Sequence, residues 1–319
     1  MTIDYNAPGK VIFRMDDYVS GMLDESRDDM SMKGVSPDPA NDELFTVNDN
    51  SPPLNQDDGD CFHTMVTKLL FLSERARPDI QQAVAFLTTR ISKSTEEDYK
   101  KLGRIIRYLR GEPSLPLTLQ CNNVHVIKWW IDASVGVHQD LKSQTGATVL
   151  MGKGSACSAS KRQKLNTRSS TEAEVVAVAD VMPMILWTRQ FLIAQGYNVE
   201  RTDLFQDNKS AMLIETNGQT SSGKRTRHLN LQHFFIADRV KAVEVSIHHC
   251  PTDEMTADFF TEPLCGAKFI KFRALMLNLS DDDGPMSNSI GPQECVNHEC
   301  PGAMHHLPCL LYTSPSPRD

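Results

Sequence analysis

Four carboxylates in the second half of the chain have the type and setting to do chemistry: Asp132 in WWIDAS, Glu174 in SSTEAEV, Asp207 in LFQDNKSA and Asp258 in TDEMTADFF. Each lies where a predicted strand ends or a predicted helix begins. Strand ends bring residues far apart in sequence onto one edge of a sheet, and carboxylates gathered there repel unless hard divalent cations neutralise them. Two such cations side by side can clamp the attacking and leaving oxygens of a phosphodiester. Singly, each residue has an ordinary explanation: Asp207 or Asp258 as a helix N-cap, Glu174 as a complement to a helix dipole. The order Asp, Glu, Asp, Asp across four separate elements favours a shared pocket.

The elements that must position these residues follow from hydrophobic period and punctuation. HVIKWWIDA, TGATVLMGKG and SACSASKRQ read as three short strands in an antiparallel meander. A long helix opens at Ser170 or Thr171, carries Glu172 and Glu174 near its start and runs towards Ala194, with a kink expected at Pro183. Strand TDLFQ, helix NKSAMLIETN, a Gly/Ser/Lys/Arg loop from Gly218 to Arg227, helix NLQHFFIADRVKA, strand VEVSIHH and a helix over Ala267 to Leu279 complete the order. Strands and helices mixed in this way fit a central sheet with helices on its faces. Upstream, residues 61 to 118 are helical: two helices broken before Pro78, then a third. The third has a capping-box pair Ser94/Glu97, apolar positions at Tyr99, Leu102, Ile105, Ile106 and Leu109, and a stop at Gly111. Its opposite face carries Lys100, Lys101, Arg104 and Arg107, as a backbone-binding or a solvated face would.

At 319 residues with 40% hydrophobic content, the chain has room for one large or two ordinary domains with a real core. The net charge of −8 argues against a nucleic-acid partner only on average. Residues 1–60 hold 14 acidic against 4 basic side chains, a net of −10, which leaves +2 on residues 61–319. Basic clusters stand at Lys161, Arg162, Lys164 and Arg168, and at Lys224, Arg225, Arg227 and His228, as a phosphate-tracking surface requires. Beyond a short amphipathic stretch from Asp16 to Leu23, Asp, Ser, Pro and Gly give residues up to 60 a linker-like composition. The cysteines lack CxxC pairs and the N-terminus lacks an apolar leader, which points to reduced thiols. No stretch approaches the roughly 18 apolar residues of a membrane span, so no membrane partner is expected.

The motifs DASVGVHQDLKSQTGATVLMG, SASKRQKLNTRSSTEAEVVAVA, LFQDNKSAMLI, KRTRHLNLQHFFIADRV and PTDEMTADFFTEPL, in this order from about Cys121 to Arg273, resemble the ribonuclease H domain of copia-type LTR retrotransposon polyproteins. Upstream, FHTMVTKLLFLSERARPDIQQAVAFLTTR and IIRYLRGE look like the connecting segment after the reverse transcriptase, and KVIFRMDDYVSGML looks like that polymerase's last part. The polymerase's catalytic tyrosine and two adjacent aspartates are absent from their expected context.

The resemblance implies an α/β fold: a ribonuclease H-like mixed five-stranded sheet flanked by helices, over residues 121–279, after a helical connection over 61–118 and a polymerase remnant with acidic linker over 1–60. It also implies hydrolysis of the RNA strand of an RNA–DNA hybrid, to 5′-phosphate and 3′-hydroxyl ends, with two Mg²⁺ ions about 4 Å apart, or Mn²⁺ in their place. Asp132 would bridge both ions, Glu174 and Asp207 would complete one site, and Asp258 would help hold the other. Ser170 and Asn208 would read 2′-hydroxyls, which DNA lacks. Lys161, Arg162, Lys164, Arg225 and Arg227 would follow the nucleic-acid backbone. His248 would assist proton transfer or product release, against the alternative of a structural histidine at a strand end, with His249 competing for the role. The partner would be the reverse transcriptase portion of the same polyprotein, in a cytoplasmic virus-like particle or the nucleus.

The departures from the family pattern are Ser134 for a second aspartate, Val175 for an aromatic residue after Glu174, and Glu262 for a lysine before Pro263-Leu264. None removes a carboxylate ligand, yet local positive charge falls, so a decayed hybrid-binding fragment is one alternative. The other is a DDE-type integrase or transposase core, for which Glu215, after Asp207, would be the third acid. Residues 280–308 read as a disordered tail in which Cys295, His298, Cys300 and His305 lack the second paired half of a zinc site. Residues 309–319 back-translate to a sequence resembling a transposase-library adaptor and stand outside any functional reading.

Overall fold

The computed structural model describes residues 1–26, 33–217 and 230–279. Arg225, Arg227 and the two C-terminal segments from residue 280 onward lie outside the described residues. The chain opens with a hairpin, β1 (Thr2–Asp4) and β2 (Lys10–Arg14), followed by helix α1 (Asp16–Asp24). Three helices follow: α2 (Gln56–Arg75), α3 (Gln81–Thr88) and α4 (Glu96–Gly111). Pro78 opens a short 3-10 turn, Pro78–Ile80, between the first two, where its missing N–H costs nothing. The capping box of α4 lies one residue beyond the expected pair. Thr95 accepts the Asp98 amide and Asp98 answers the Thr95 amide, because Ser94 is still extended.

Strands β3 (Leu117–Cys121), β4 (Val126–Ser134), β5 (Gln144–Leu150), β6 (Gly152–Lys153) and β7 (Cys157–Arg162) come next. Helix α5 (Ser170–Ala194) runs without a break through Pro183. It opens at Ser170, one of the two expected starts, and is capped by Ser169, which accepts the Glu172 amide at 3.2 Å. Strand β8 (Arg201–Gln206), helices α6 (Lys209–Asn217) and α7 (Asn230–Lys241), strand β9 (Ser246–His249), a 3-10 helix Thr256–Phe260 and helix α8 (Gly266–Leu277) complete the fold.

The main sheet has the order β7-β5-β4-β8-β9. Its first three strands pair antiparallel, while β8 and β9 join in parallel. This is the mixed five-stranded α/β arrangement with flanking helices that the resemblance implies. A second sheet, β1-β2-β3-β6, was not legible from the sequence; its strands are two to five residues long and too short to carry a period.

Alternation along β4 sends its side chains to two different cores. Ile127, Trp129, Ile131 and Ala133 pack on α5 through Ala173, Val175, Ala177, Val178 and Ile185. Trp130 faces the opposite side and joins a cluster with Phe62, Leu69 and Ile105 of the helical segment and Phe259, Phe260 and Phe272 near the C-terminal helix. The helical segment therefore covers one face of the sheet, and a single apolar cluster crosses the expected boundary near residue 120. Helix α5 is long and apolar enough to cross a membrane, contrary to the reading from sequence. One face of it, including Ala173, Val175, Ala177, Val178, Val181 and Ile185, is buried in the core against the sheet, while Trp187 and Ile193 are exposed.

The linker-like stretch packs too: Leu44 and Phe45 are buried, and the basic face of α4 holds it. Arg104 is paired with Asp38, and Lys101 donates to the Thr46 carbonyl while lying over the Phe86 ring. Those two side chains are occupied by the protein itself.

Candidate metal centre

Strand β4 delivers Asp132 on the Trp130 face, and the next residue, Ala133, turns its backbone amide towards Glu174, which it bonds at 3.3 Å. Glu174 reaches this point from the start of α5, fixed by the Ser169 cap. Asp207 immediately follows β8, where the parallel pairing of β8 with β4 brings it alongside Asp132. One ligand oxygen from each of Asp132, Glu174 and Asp207 lies within 4.8 Å of the other two. Asp132 and Glu174 are buried, and Asp207 is half-buried.

Burial first, and then repulsion from neighbouring carboxylates, hold the Glu174 and Asp132 carboxyls above their ordinary range. Glu174 is pushed well up by desolvation and by Asp132 and Asp207. Asp132 is raised by desolvation and by Asp207 and Glu262, against a hydrogen bond from the Thr261 hydroxyl that acts the other way. The second oxygen of Glu174 is buried with no hydrogen-bond partner among the described residues. Three oxygen donors, an excess of negative charge and an orphaned buried carboxylate oxygen fit a hard divalent cation such as Mg²⁺ or Mn²⁺.

Asp258 sits apart from this group. It lies in the 3-10 helix Thr256–Phe260, buried, and pairs with Lys268 at 3.0 Å. Its carboxyl is raised to about 7 by burial and by the charge of Asp132, so the two carboxylates sense one another although they share no ligand cluster. His248 is inside β9 beside Phe205, with its Nε2 3.2 Å from Asp203, and is not among the converging groups. Ser170 is exposed in the first turn of α5. Asn208 uses its side-chain oxygen to accept the Ser210 and Ala211 amides and so caps α6. Lys161, Arg162 and Lys164 are exposed at and just beyond the end of β7, Arg162 being paired with Asp140.

Sequence reasoning missed the groups that orient the carboxylates. Thr261 bonds Asp132, Thr252 donates to Asp207 at 3.0 Å, and Lys268 binds Asp258. Thr252 and Thr261 stand within the PTDEMTADFFTEPL motif, so their signal was present. Lys268, four residues beyond the motif's end, had none.

Gly146 on β5 makes this close packing feasible. A Cβ there would lie 2.6 Å from the Thr261 side chain and 2.7 Å from the Ala257 carbonyl oxygen. The bare backbone at this position lets the 3-10 helix that carries Asp258 lie directly on the sheet.

No protein-family model matches the chain. Over 198 residues, 61% of this chain, it is 32% identical to the retrovirus-related Pol polyprotein from transposon RE1 of Arabidopsis thaliana. Identity to the corresponding polyprotein from transposon RE2 of the same plant is 30%, also over 198 residues. Against the polyprotein from transposon TNT 1-94 of Nicotiana tabacum it is 26% over 209 residues. The matched spans are 13%, 14% and 16% of those polyproteins' lengths. Among solved structures, LC11-RNase H1, isolated from compost by a metagenomic approach, aligns over 42% of this chain and 91% of its own at 14% identity and a TM-score of 0.33. RNase H1 from Halobacterium salinarum aligns over 41% and 90% at 12% identity and a TM-score of 0.30. The chain's homologues are retrovirus-related Pol polyproteins from copia-type transposons.

Proposed function

We propose that the domain built on the five-stranded sheet is a divalent-cation-dependent ribonuclease H that cuts the RNA strand of RNA–DNA hybrids within a retrotransposon Pol polyprotein. The observation that carries this reading is the convergence of Asp132, Glu174 and Asp207 within 4.8 Å. Divalent cations, when bound, would supply the Lewis acidity that activates water and stabilises the leaving 3′ oxygen. The chain's own residues hold the geometry for this. Thr261 and Thr252 fix the rotamers of Asp132 and Asp207, and the Ala133 amide orients Glu174. Asp258 offers a further carboxylate, close enough to feel the charge of Asp132. Lys161, Arg162 and Lys164, exposed at and just beyond the end of the edge strand β7, would track phosphates, and the exposed Ser170 would meet a 2′-hydroxyl. The reverse transcriptase portion of the same polyprotein is the proposed partner.

The carboxylate geometry favours this reading over a DDE-type core. Its third acid would be Glu215, which is fully buried and contributes no oxygen to the cluster, whereas Glu174 does. The test is cleavage of a labelled RNA–DNA hybrid with Mg²⁺, alongside single-stranded RNA and duplex DNA, by the wild-type chain and Asp132→Asn. Hybrid-specific cutting that is lost in the variant supports the proposal. Equal rates in the two proteins, or strand transfer of DNA without hybrid cleavage, refute it.

A further inference from the structure

The acidic group has a cation of its own, and that cation is a side chain. Lys268, in the first turn of α8, places its ammonium 3.0 Å from Asp258 and 3.7 Å from Glu262. Asp258 is buried, so this ammonium is the positive charge that reaches it from the solvent side, the lysine side chain being 42% exposed. Asp132, the neighbouring carboxylate, accepts the Thr261 hydroxyl. Among the described residues, no ion pair to a lysine or arginine is formed by Asp132, Glu174 or Asp207, and Glu174 retains an orphaned oxygen. The two halves of the acidic group thus differ: one lacks a counter-charge, and the other already holds one.

We propose that Lys268 is a built-in counter-cation for Asp258, and that it makes the cation position between Asp132 and Asp258 the weaker of two. This rests on the metal-dependent reading above. A divalent ion entering between Asp132 and Asp258 has to displace the ammonium. Competition for one carboxylate lowers the apparent affinity there without touching the other position. An exposed lysine can swing out at little cost, which makes Lys268 a positioning residue and not a ligand.

The test is Mn²⁺ binding alone, counted by electron paramagnetic resonance and titration calorimetry on the full chain, for wild type, Lys268→Met, Lys268→Arg and Asp132→Asn. The wild type is expected to show one tight and one weak Asp132-dependent site. Lys268→Met should tighten the weak site by about 10-fold or more, the scale on which neighbouring groups tune metal affinity, and leave the tight site unchanged. Lys268→Arg, which keeps the charge, should resemble wild type. Two sites of equal affinity in the wild type, or a second site that Lys268→Met does not tighten, overturn the role of Lys268 while Asp132-dependent binding persists. Mn²⁺ binding that is identical in wild type and Asp132→Asn overturns the metal centre, and this inference with it.

Discussion

Ala133 donates its backbone amide to one oxygen of Glu174 at 3.3 Å, while the other oxygen is buried without a partner among the described residues. The carboxylate is held in place and under-satisfied at once. A bound cation would relieve this, and so would removal of the charge. Glu174→Gln is therefore expected to raise the melting temperature of the metal-free protein and to abolish any further rise with Mg²⁺. In the wild type, Mg²⁺ at about 100 times its dissociation constant should add about 2.7 kcal/mol. Thermal melts with and without Mg²⁺ decide the matter. A variant that Mg²⁺ stabilises as strongly as wild type would remove Glu174 from the ligand set.

The contact of the 3-10 helix with the sheet depends on Gly146. In Gly146→Ala the new methyl meets the Thr261 side chain at 2.6 Å and the Ala257 carbonyl oxygen at 2.7 Å. The helix must lift, at a cost of about 1–3 kcal/mol for an overpacked site. Thr261 then loses Asp132. Urea denaturation should show the loss of stability, and hybrid cleavage should fall by more than the unfolded fraction explains. An unchanged urea midpoint would mean that the helix moves freely.

The site was more legible than its supports, for a physical reason. Asp132, Glu174 and Asp207 stand at strand and helix ends, where period and capping punctuate the sequence, and Glu174 sits five residues past Ser169, the cap of its helix. Asp258, expected at or before the start of the last helix, lies instead in a separate 3-10 helix ahead of α8, and its pairing with Lys268 crosses a turn that carries no periodic signal. The second sheet joins strands more than a hundred residues apart, β2 with β3, and local pattern does not encode such a pairing. The burial of Leu44 and Phe45 was masked by the acidic composition around them; Arg104 of α4 pairs with Asp38, and Lys101 binds the Thr46 carbonyl.

Glu215 supplies a pH test. It is buried, both of its oxygens lack hydrogen-bond partners among the described residues, and burial lifts its carboxyl from 4.5 to about 8, with Gln206 offsetting part of the rise. A carboxyl whose folded value lies above its unfolded one contributes stability that is fully present below the unfolded value and is lost as pH rises through the folded value. Stability of the metal-free protein should thus decline between about pH 4.5 and about pH 8, and Asp258, raised to about 7, acts in the same direction. Glu215→Gln keeps the shape, has no charge to bury and should flatten this slope. Urea midpoints measured across that range test it. A slope that is as steep in the variant would assign the pH dependence to the metal-site carboxyls instead.

The helical segment and the sheet should unfold together, because buried charge joins them as well as apolar contact. Arg77 and Asp79 pair at 2.8 Å with both side chains almost wholly buried. Tyr108 of α4 donates to Asp79 at 2.5 Å, and Arg273 of α8 reaches the Tyr108 hydroxyl at 3.3 Å and Glu112 at 3.1 Å. Burial alone would raise the Asp79 carboxyl, but Arg77 and Tyr108 hold it below the usual carboxylate range. Asp79→Ala leaves the Arg77 guanidinium buried and unpaired, an arrangement that costs about 3–5 kcal/mol. The network spans both sequence segments, so the loss should lower a single transition and should not split it. Tryptophan fluorescence, which reports Trp129 and Trp130 on β4 and Trp187 on α5, and far-ultraviolet circular dichroism should give coincident urea curves in wild type and variant. If helicity is lost in the variant while tryptophan fluorescence stays native, the two segments are separate folding units, and the shared cluster around Trp130 does not couple them.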